Sequence, residues 1–249
     1  MDTSFIPAGI IKTMKEIARL AYELFGIHVS RAQLTALEVY QDKLLEWNTR
    51  YNLTAIKEPD KIRVRHFLDS LTCLSVMRGS RMERVIDVGT GAGFPGLPIK
   101  IIQPEIQLTL IDSVEKKTDF CQHIVEELQL KGVQVIKSRA EEIGRSSQHR
   151  QQYDWALARA VAILPSLLEY LLPLTRVGGA ALAMKGESAH SEAHSAENAM
   201  RLLGGHLREV VQVHLPGVAE DHYMVVVDKV AATPDEFPRR TGVPAKRPL

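Results

Sequence analysis

Residues Val85 to Gly96 read Val-Ile-Asp-Val-Gly-Thr-Gly-Ala-Gly-Phe-Pro-Gly, an apolar run that ends at an aspartate and then places four glycines within eight residues. This is a buried strand running into a loop with almost no side chains, which lets the backbone approach a ligand closely. The next apolar stretch, Gln107 to Ile111, ends in Asp112. A carboxylate at the end of the second strand can grip a pair of ribose hydroxyls. Together the two features imply a nucleoside-containing cofactor.

Two cofactors compete for the loop. Gly91-Ala-Gly93-Phe-Pro-Gly96 satisfies the dinucleotide pattern. The frame argues against it, because Asp87 and Gly89 precede the matching glycines and Pro95 sits inside the expected helix start. The pattern acid-x-Gly-x-Gly-x-Gly, filled by Asp87, Gly89, Gly91 and Gly93, suits S-adenosylmethionine instead. That molecule carries an ammonium and a sulfonium but no phosphate, so a nearby carboxylate attracts it and would repel a pyrophosphate. Beside both stands a tight turn that binds nothing, at an entropic cost that a mere turn need not carry.

Composition narrows the class. The 249 residues are 45% hydrophobic and 24% charged, ordinary for a folded α/β chain. A net charge of +1 gives no global signature of nucleic-acid binding, so any basic surface is local. Cys73 and Cys121 lie in apolar helical patterns without CxxC spacing, which fits buried thiols and a reducing cytoplasm. No apolar run approaches the roughly 18 residues of a membrane span, and Met-Asp-Thr-Ser-Phe lacks a signal-peptide pattern. The expectation is a cytoplasmic monomer, although the sequence does not determine oligomeric state.

The first eighty residues read as helices. Ile10, Ile11, Met14, Ile17, Leu20, Ala21 and Leu24 recur at helical spacing and Gly26 ends the run. Ser30 and Gln33 have capping-box spacing before a second helix that carries Trp47, expected to fill core. A polar connection spans 48–52, and Pro59 opens a third helix through Leu74. After Gly79, strands are expected at 84–88, 107–111, 133–137, 153–158, 179–184, 208–214 and 222–228. Helices are expected at 96–102, 115–130, 162–174 and 188–203. This alternation implies a mostly parallel sheet covered on both faces, with ligands beyond the carboxyl ends of its strands. Asp87, Asp112, Arg139 and Arg159 fall at those ends and should share one crevice.

Residues 144–152 read as a polar loop without evident chemistry. The tail from Phe237 to Leu249 has four basic residues, three prolines and no acid. It reads as non-helical: either an extended arm for phosphates, with Arg239 and Arg240 as contacts, or a solvated terminus.

Several stretches resemble one family. They are Trp47-Asn-Thr-Arg-Tyr-Asn-Leu-Thr-Ala-Ile56, His66-Phe-Leu-Asp-Ser-Leu71, Asp87 to Pro98, Leu110-Ile-Asp-Ser113 with Lys116-Lys117, Ser138-Arg-Ala-Glu141, Ala158-Arg-Ala160, Gly178-Gly179, Lys185-Gly186 and the closing Pro-Arg-Arg-Thr-Gly-Val-Pro-Ala-Lys-Arg-Pro-Leu. From about residue 40 onward the chain is similar to the RsmG (GidB) family of bacterial small-subunit ribosomal RNA guanine-N7 methyltransferases. The resemblance implies a Rossmann-like class I methyltransferase sheet of about seven mostly parallel strands. A helical N-terminal region (1–80) would precede the methyltransferase domain (81–236), and the basic tail (237–249) would follow. It implies S-adenosylmethionine as donor and a guanine of small-subunit (16S) ribosomal RNA, as free RNA or within the small subunit, as acceptor. Carried over by position, the cofactor contacts are Gly89, Phe94, Ala140, Glu141 and Arg159, with Asp112 in the ribose place and Asp87 and Gly91 in the loop.

Such chemistry asks little of side chains. N7 of guanine has a lone pair and no proton to lose, so alignment matters more than a base, and orientation can supply roughly 7–11 kcal/mol. No triad, metal site or nucleophilic cysteine is expected. A cation at N7 would oppose the charge that develops there, so Arg139, Arg159 and Lys185 are candidates for phosphate or for O6, or else form structural ion pairs. His66 and Asp69 could hydrogen-bond locally or face substrate, and the local bond is favoured. His190 and His194 have metal-pair spacing, but their polar segment reads as a solvated helix face.

Overall fold

The computed structural model describes residues 11–249. Ile10, expected on the first helical stripe, lies outside them. Helix α1 (Met14–Phe25) opens with a capping box between Thr13 and Glu16 and ends at Gly26 in the left-handed region. Helix α2 (Arg31–Tyr51) opens with the expected Ser30–Gln33 box. It runs through residues 48–51, expected as a connection, and stops only at Asn52. Asn48 tolerates the helix because its amide is satisfied from outside it: Nδ2 donates to the Thr54 carbonyl and Oδ1 accepts from the Thr54 amide, both at 3.0 Å.

The third expected helix is three segments in one rod. A short α3 (Pro59–Ile62) passes into a π-helical stretch, Arg63–Leu68, and then α4 (Asp69–Met77). The widened turns carry Arg65 and His66 and end at Asp69. Such turns are rare and recur at functional sites.

Seven strands follow: β1 (Arg84–Val88), β2 (Gln107–Asp112), β3 (Val133–Lys137), β4 (Tyr153–Arg159), β5 (Thr175–Lys185), β6 (Gly205–Val213) and β7 (His222–Lys229). Their order is β3-β2-β1-β4-β5-β7-β6, and β7 alone runs against the rest. Side-chain alternation assigns the two faces. Val85, Leu108, Leu110, Trp155, Leu157 and Leu182 join one core with α1, α2, α4, α5 (Gly96–Ile102) and α6 (Glu115–Glu127). Ile86, Val88, Ile111, Ala156, Ala158 and Ala181 join the other, under α7 (Ala140–Arg145), α8 (Leu164–Leu171), α9 (Ala189–Ser195) and α10 (Glu197–Leu203). The N-terminal helices therefore share an apolar core with the sheet. Both cysteines are buried and unbridged.

Several boundaries differ from expectation. The helix expected at 188–203 breaks at Ala196 into α9 and α10, and β5 begins at Thr175, where its pairing with β4 shifts register. Helix α7 takes in Gly144, expected as loop.

The tail is the largest correction. Residues 237–244 are anchored against the fold instead of forming an extended arm, while residues 245–248 are exposed. Phe237, Pro238 and Pro244 are buried, and a short helix α11 (Val243–Lys246) forms despite the prolines, because Pro244 occupies its first turn, where no amide is needed. Arg150, in the stretch expected to lack chemistry, donates to the carbonyls of Gly144, Phe237, Thr233 and Pro234. Arg145 donates to the Pro238 carbonyl at 2.8 Å. Composition alone hides these partners, since all but the Gly144 carbonyl are backbone groups more than 80 residues away.

Candidate functional site

The strand β1 delivers Asp87 to its carboxyl end fully buried. Its Oδ2 accepts from Thr90 Oγ1 at 2.7 Å and from the Gly96 amide at 2.8 Å, so it ties the glycine loop to the start of α5. Oδ1 has no partner among the described residues. Burial pushes the carboxyl up to about 6. Asp87 thus stands behind the loop and braces it.

In front of the loop lies a cleft of about 490 Å³ at the carboxyl ends of β1, β2 and β3. Gly89, Asp112, Arg139, Ala140 and Glu141 line it. Gly89 has φ +69°, and a Cβ there would stand 2.6 Å from Val161 Cγ2, so only glycine lets the loop after β4 close on the loop after β1. Asp112 accepts the Gly91 amide on Oδ2 at 3.0 Å and the Val114 amide on Oδ1 at 2.9 Å, with Lys117 Nζ 3.7 Å away. Val88, Ile111, Val114 and Ala162 supply apolar wall. Glu141 is 5% exposed, and its Oε1 accepts the Gly242 amide at 2.9 Å.

Not every expected contact faces this cleft. Phe94 is buried behind the loop, stacked between Tyr40 (5.2 Å between centroids) and His66 (4.7 Å). Gly91 contributes through its bond to Asp112. Arg159 lines a neighbouring cleft of about 460 Å³ with His66, Asp69, Lys185 and His222. Its guanidinium donates to the Arg65 carbonyl at 2.9 Å and to Asp69 Oδ2 at 3.1 Å, and Nη2 lies 3.2 Å from His66 Nδ1. Lys185 pairs with Glu192 at 2.6 Å and donates to the Ala162 carbonyl at 2.8 Å. Ala160 lines both clefts.

His66 and Asp69 do not bond to each other, contrary to the local reading. Burial, then the Arg159 charge, holds the imidazole down to about 3, so it is neutral. Its Nδ1 stands between the Arg65 carbonyl at 3.1 Å and the Arg159 guanidinium at 3.2 Å, and Nε2 lies 2.8 Å from Thr54 Oγ1.

Arg239 is committed elsewhere. It grips Glu169, a fully buried carboxylate, through Nη2 at 2.6 Å and Nε at 2.9 Å. Arg240 is exposed. Trp47 is half-buried, stacked on His123 at 5.1 Å. His190 packs edge-on against Tyr223 and His194 pairs with Glu197. No group of three or more metal-ligating side chains occurs among the described residues, and none of their helices is long and apolar enough to cross a membrane. Sequence reasoning missed Thr241, Gly242 and Ala245 as cleft wall, and nothing in their composition signals it.

Comparison with known proteins decides the family. The model of rRNA small subunit methyltransferase G matches residues 33–223. The chain belongs to this family. It is 48% identical to "Ribosomal RNA small subunit methyltransferase G" of Roseiflexus castenholzii over 95% of this chain and 100% of that one. It is 42% identical to the protein of that name from Alkaliphilus metalliredigens, over 94% and 98%. Among solved structures, a SAM-dependent methyltransferase from Aquifex aeolicus superposes with a TM-score of 0.53 at 18% identity, covering 71% of this chain and 96% of that one. A precorrin-6y C5,15-methyltransferase from Geobacter metallireducens gives 0.50 at 10%, covering 64% and 87%. These likenesses bear out the expected class I methyltransferase sheet, as the sequence relatives bear out the expected family.

The donor set of the first cleft fits adenosylmethionine. It combines a nearly buried carboxylate for ribose hydroxyls, a carboxylate beside backbone at Ala140–Glu141 for adenine, and apolar walls for the base.

Proposed function

We propose that this chain transfers the methyl group of S-adenosylmethionine to N7 of a guanine in small-subunit (16S) ribosomal RNA. The observation that carries the reading is the convergence of Gly89, Asp112 and Glu141 on one cleft at the carboxyl ends of three parallel strands. Asp112 holds the ribose, Ala140 and Glu141 hold adenine, and Gly89 admits the chain between them. Bound there, the cofactor supplies an electrophilic sulfonium methyl. The residues of the cleft act by orientation: they fix the donor, and N7 brings its own lone pair, so no side chain has to remove a proton.

The dinucleotide alternative loses ground on a specific contact. A pyrophosphate would need the amides at the start of α5. The Gly96 amide is already taken by Asp87 and the Leu97 amide by the Gly93 carbonyl.

The test incubates purified protein and labelled adenosylmethionine with small subunits or their RNA lacking the modification, followed by nucleoside analysis. Label in 7-methylguanosine is the expected result. Tight cofactor binding without transfer would redirect the search to another acceptor, and no cofactor binding would overturn the reading.

A further inference from the structure

The second cleft opens over the ends of β4 and β5, as the first opens over β1 to β3, and Ala160 joins them. Ala160 sits at φ +54°, a left-handed conformation uncommon outside glycine, where the chain turns between the two. Asp69 is 4% exposed on the wall of this cleft. Among the described residues, one hydrogen bond reaches its carboxylate, from Arg159 to Oδ2; His222 Nδ1 stands 3.5 Å from Oδ1 as an ion-pair partner. A carboxylate can accept about four hydrogen bonds, and a buried one left short of donors is costly. Arg159 also keeps capacity: Nη1 spends its protons on Arg65 and Asp69, and Nη2 spends one on His66, so Nε and one Nη2 proton are uncommitted among the described residues.

We infer that this cleft holds the target guanine, with Arg159 donating to O6 and Asp69 accepting from N1–H and the N2 amino group. The inference rests on the proposed transfer to guanine. The Watson–Crick edge of guanine reads acceptor, donor, donor. Arg159 and Asp69, 3.1 Å apart, present a donor beside an acceptor in the matching order. Adenine reverses the first two groups, setting its amino group against Arg159 and a lone pair against Asp69. Gripped by that edge, the base leaves N7 uncontacted on the far side of O6, where it can turn toward Ala160 and the first cleft. Charge is compatible as well. Arg65, Arg159 and Lys185 face Asp69 and Glu192, and Arg65 is further offset by Glu220 at 2.7 Å, so little net positive charge opposes the cation forming on the base. Ile56, Met184 and Ala160 offer apolar contact to the ring.

The test is atom replacement at the mapped nucleotide, by ligating inosine (no N2 amino group) or 2-aminopurine (no O6 and no proton on N1) into small-subunit RNA. Wild type is expected to lose about tenfold in kcat/KM on inosine and about a hundredfold on 2-aminopurine. In Asp69→Asn the guanosine-to-inosine ratio should collapse toward one, while the dissociation constant for adenosylmethionine by calorimetry stays within about threefold of wild type. A wild type indifferent to inosine overturns the guanine pocket alone. Equal loss by Asp69→Asn on both RNAs makes Asp69 a structural partner of Arg159 and also overturns it. Should Asp69→Asn fail to fold, the wild-type ratios decide. No transfer by wild type to unreplaced RNA would remove the underlying function as well, which separates the two failures.

Discussion

The amide of Gly242 donates to Oε1 of Glu141 across 2.9 Å, and this bond joins the end of the chain to the wall of the first cleft. Glu141 thereby acquires an orientation that its own helix does not impose. The contact is held from behind by Arg239 on Glu169 and by the Ser166 hydroxyl on the Pro244 carbonyl at 2.7 Å. A tail with four basic residues thus serves first as structure.

Arg239→Met should destabilise the fold by about 3 kcal/mol, because it leaves the fully buried Glu169 carboxylate uncompensated. Urea unfolding measures it. A change below about 1 kcal/mol would mean that the pair is solvent-screened and that the tail is held by its other bonds.

Arg150→Ala removes four hydrogen bonds, three of them to the carbonyls of Thr233, Pro234 and Phe237. Limited proteolysis should then cut within 233–249 faster than in wild type. Adenosylmethionine affinity should fall by about 1 kcal/mol, since Thr241, Gly242 and Ala245 line the cleft. Faster cutting with unchanged affinity would separate the tail from cofactor binding.

Asp112→Ala should weaken adenosylmethionine binding by about 1–3 kcal/mol through loss of charge-assisted hydrogen bonds. The loop amides of Gly91 and Val114 lose their acceptor at the same time. Calorimetry is the measurement, and an unchanged affinity rejects the ribose role.

The pH dependence of stability should carry two opposed contributions. His66 has its pKa lowered to about 3 by burial, so its contribution is complete above its ordinary value of 6.5 and is lost as pH falls toward 3. Asp87 has its pKa raised to about 6, so its contribution is complete below 3.8 and is lost as pH rises through 6. Between pH 5 and 7 these amount to about 2 kcal/mol favouring pH 7 and about 1 kcal/mol favouring pH 5. Asp87→Asn should therefore make the protein more acid-sensitive, and His66→Gln should make it relatively more stable at pH 5 than at pH 7. Urea midpoints at the two pH values check this; variant profiles parallel to wild type would sink the assignment.

What the sequence determined by itself is what local chemistry encodes. The order of strands and helices follows from apolar periodicity, since each element must bury a face. The glycine loop and Asp112 are legible because the backbone freedom and the acid occur at consecutive strand ends. Gly26, Ser30 and Gln33 announce helix ends through groups only three or four residues away. The family could be read from the same motifs.

Only the tertiary structure decided how long-range partners use the charged residues. Arg239, read as a phosphate contact, is matched to Glu169, 70 residues earlier. Arg159, read with the cofactor, meets Asp69 across 90 residues and faces the second cleft. Asp87, read as facing the ligand, turns inward to brace Gly96. Each of these side chains could satisfy its charge in several ways, and the choice depends on which opposite charge or backbone donor or acceptor the fold brings within about 3 Å. Burial of that partner, which no local pattern reveals, is what makes the pairing energetically necessary.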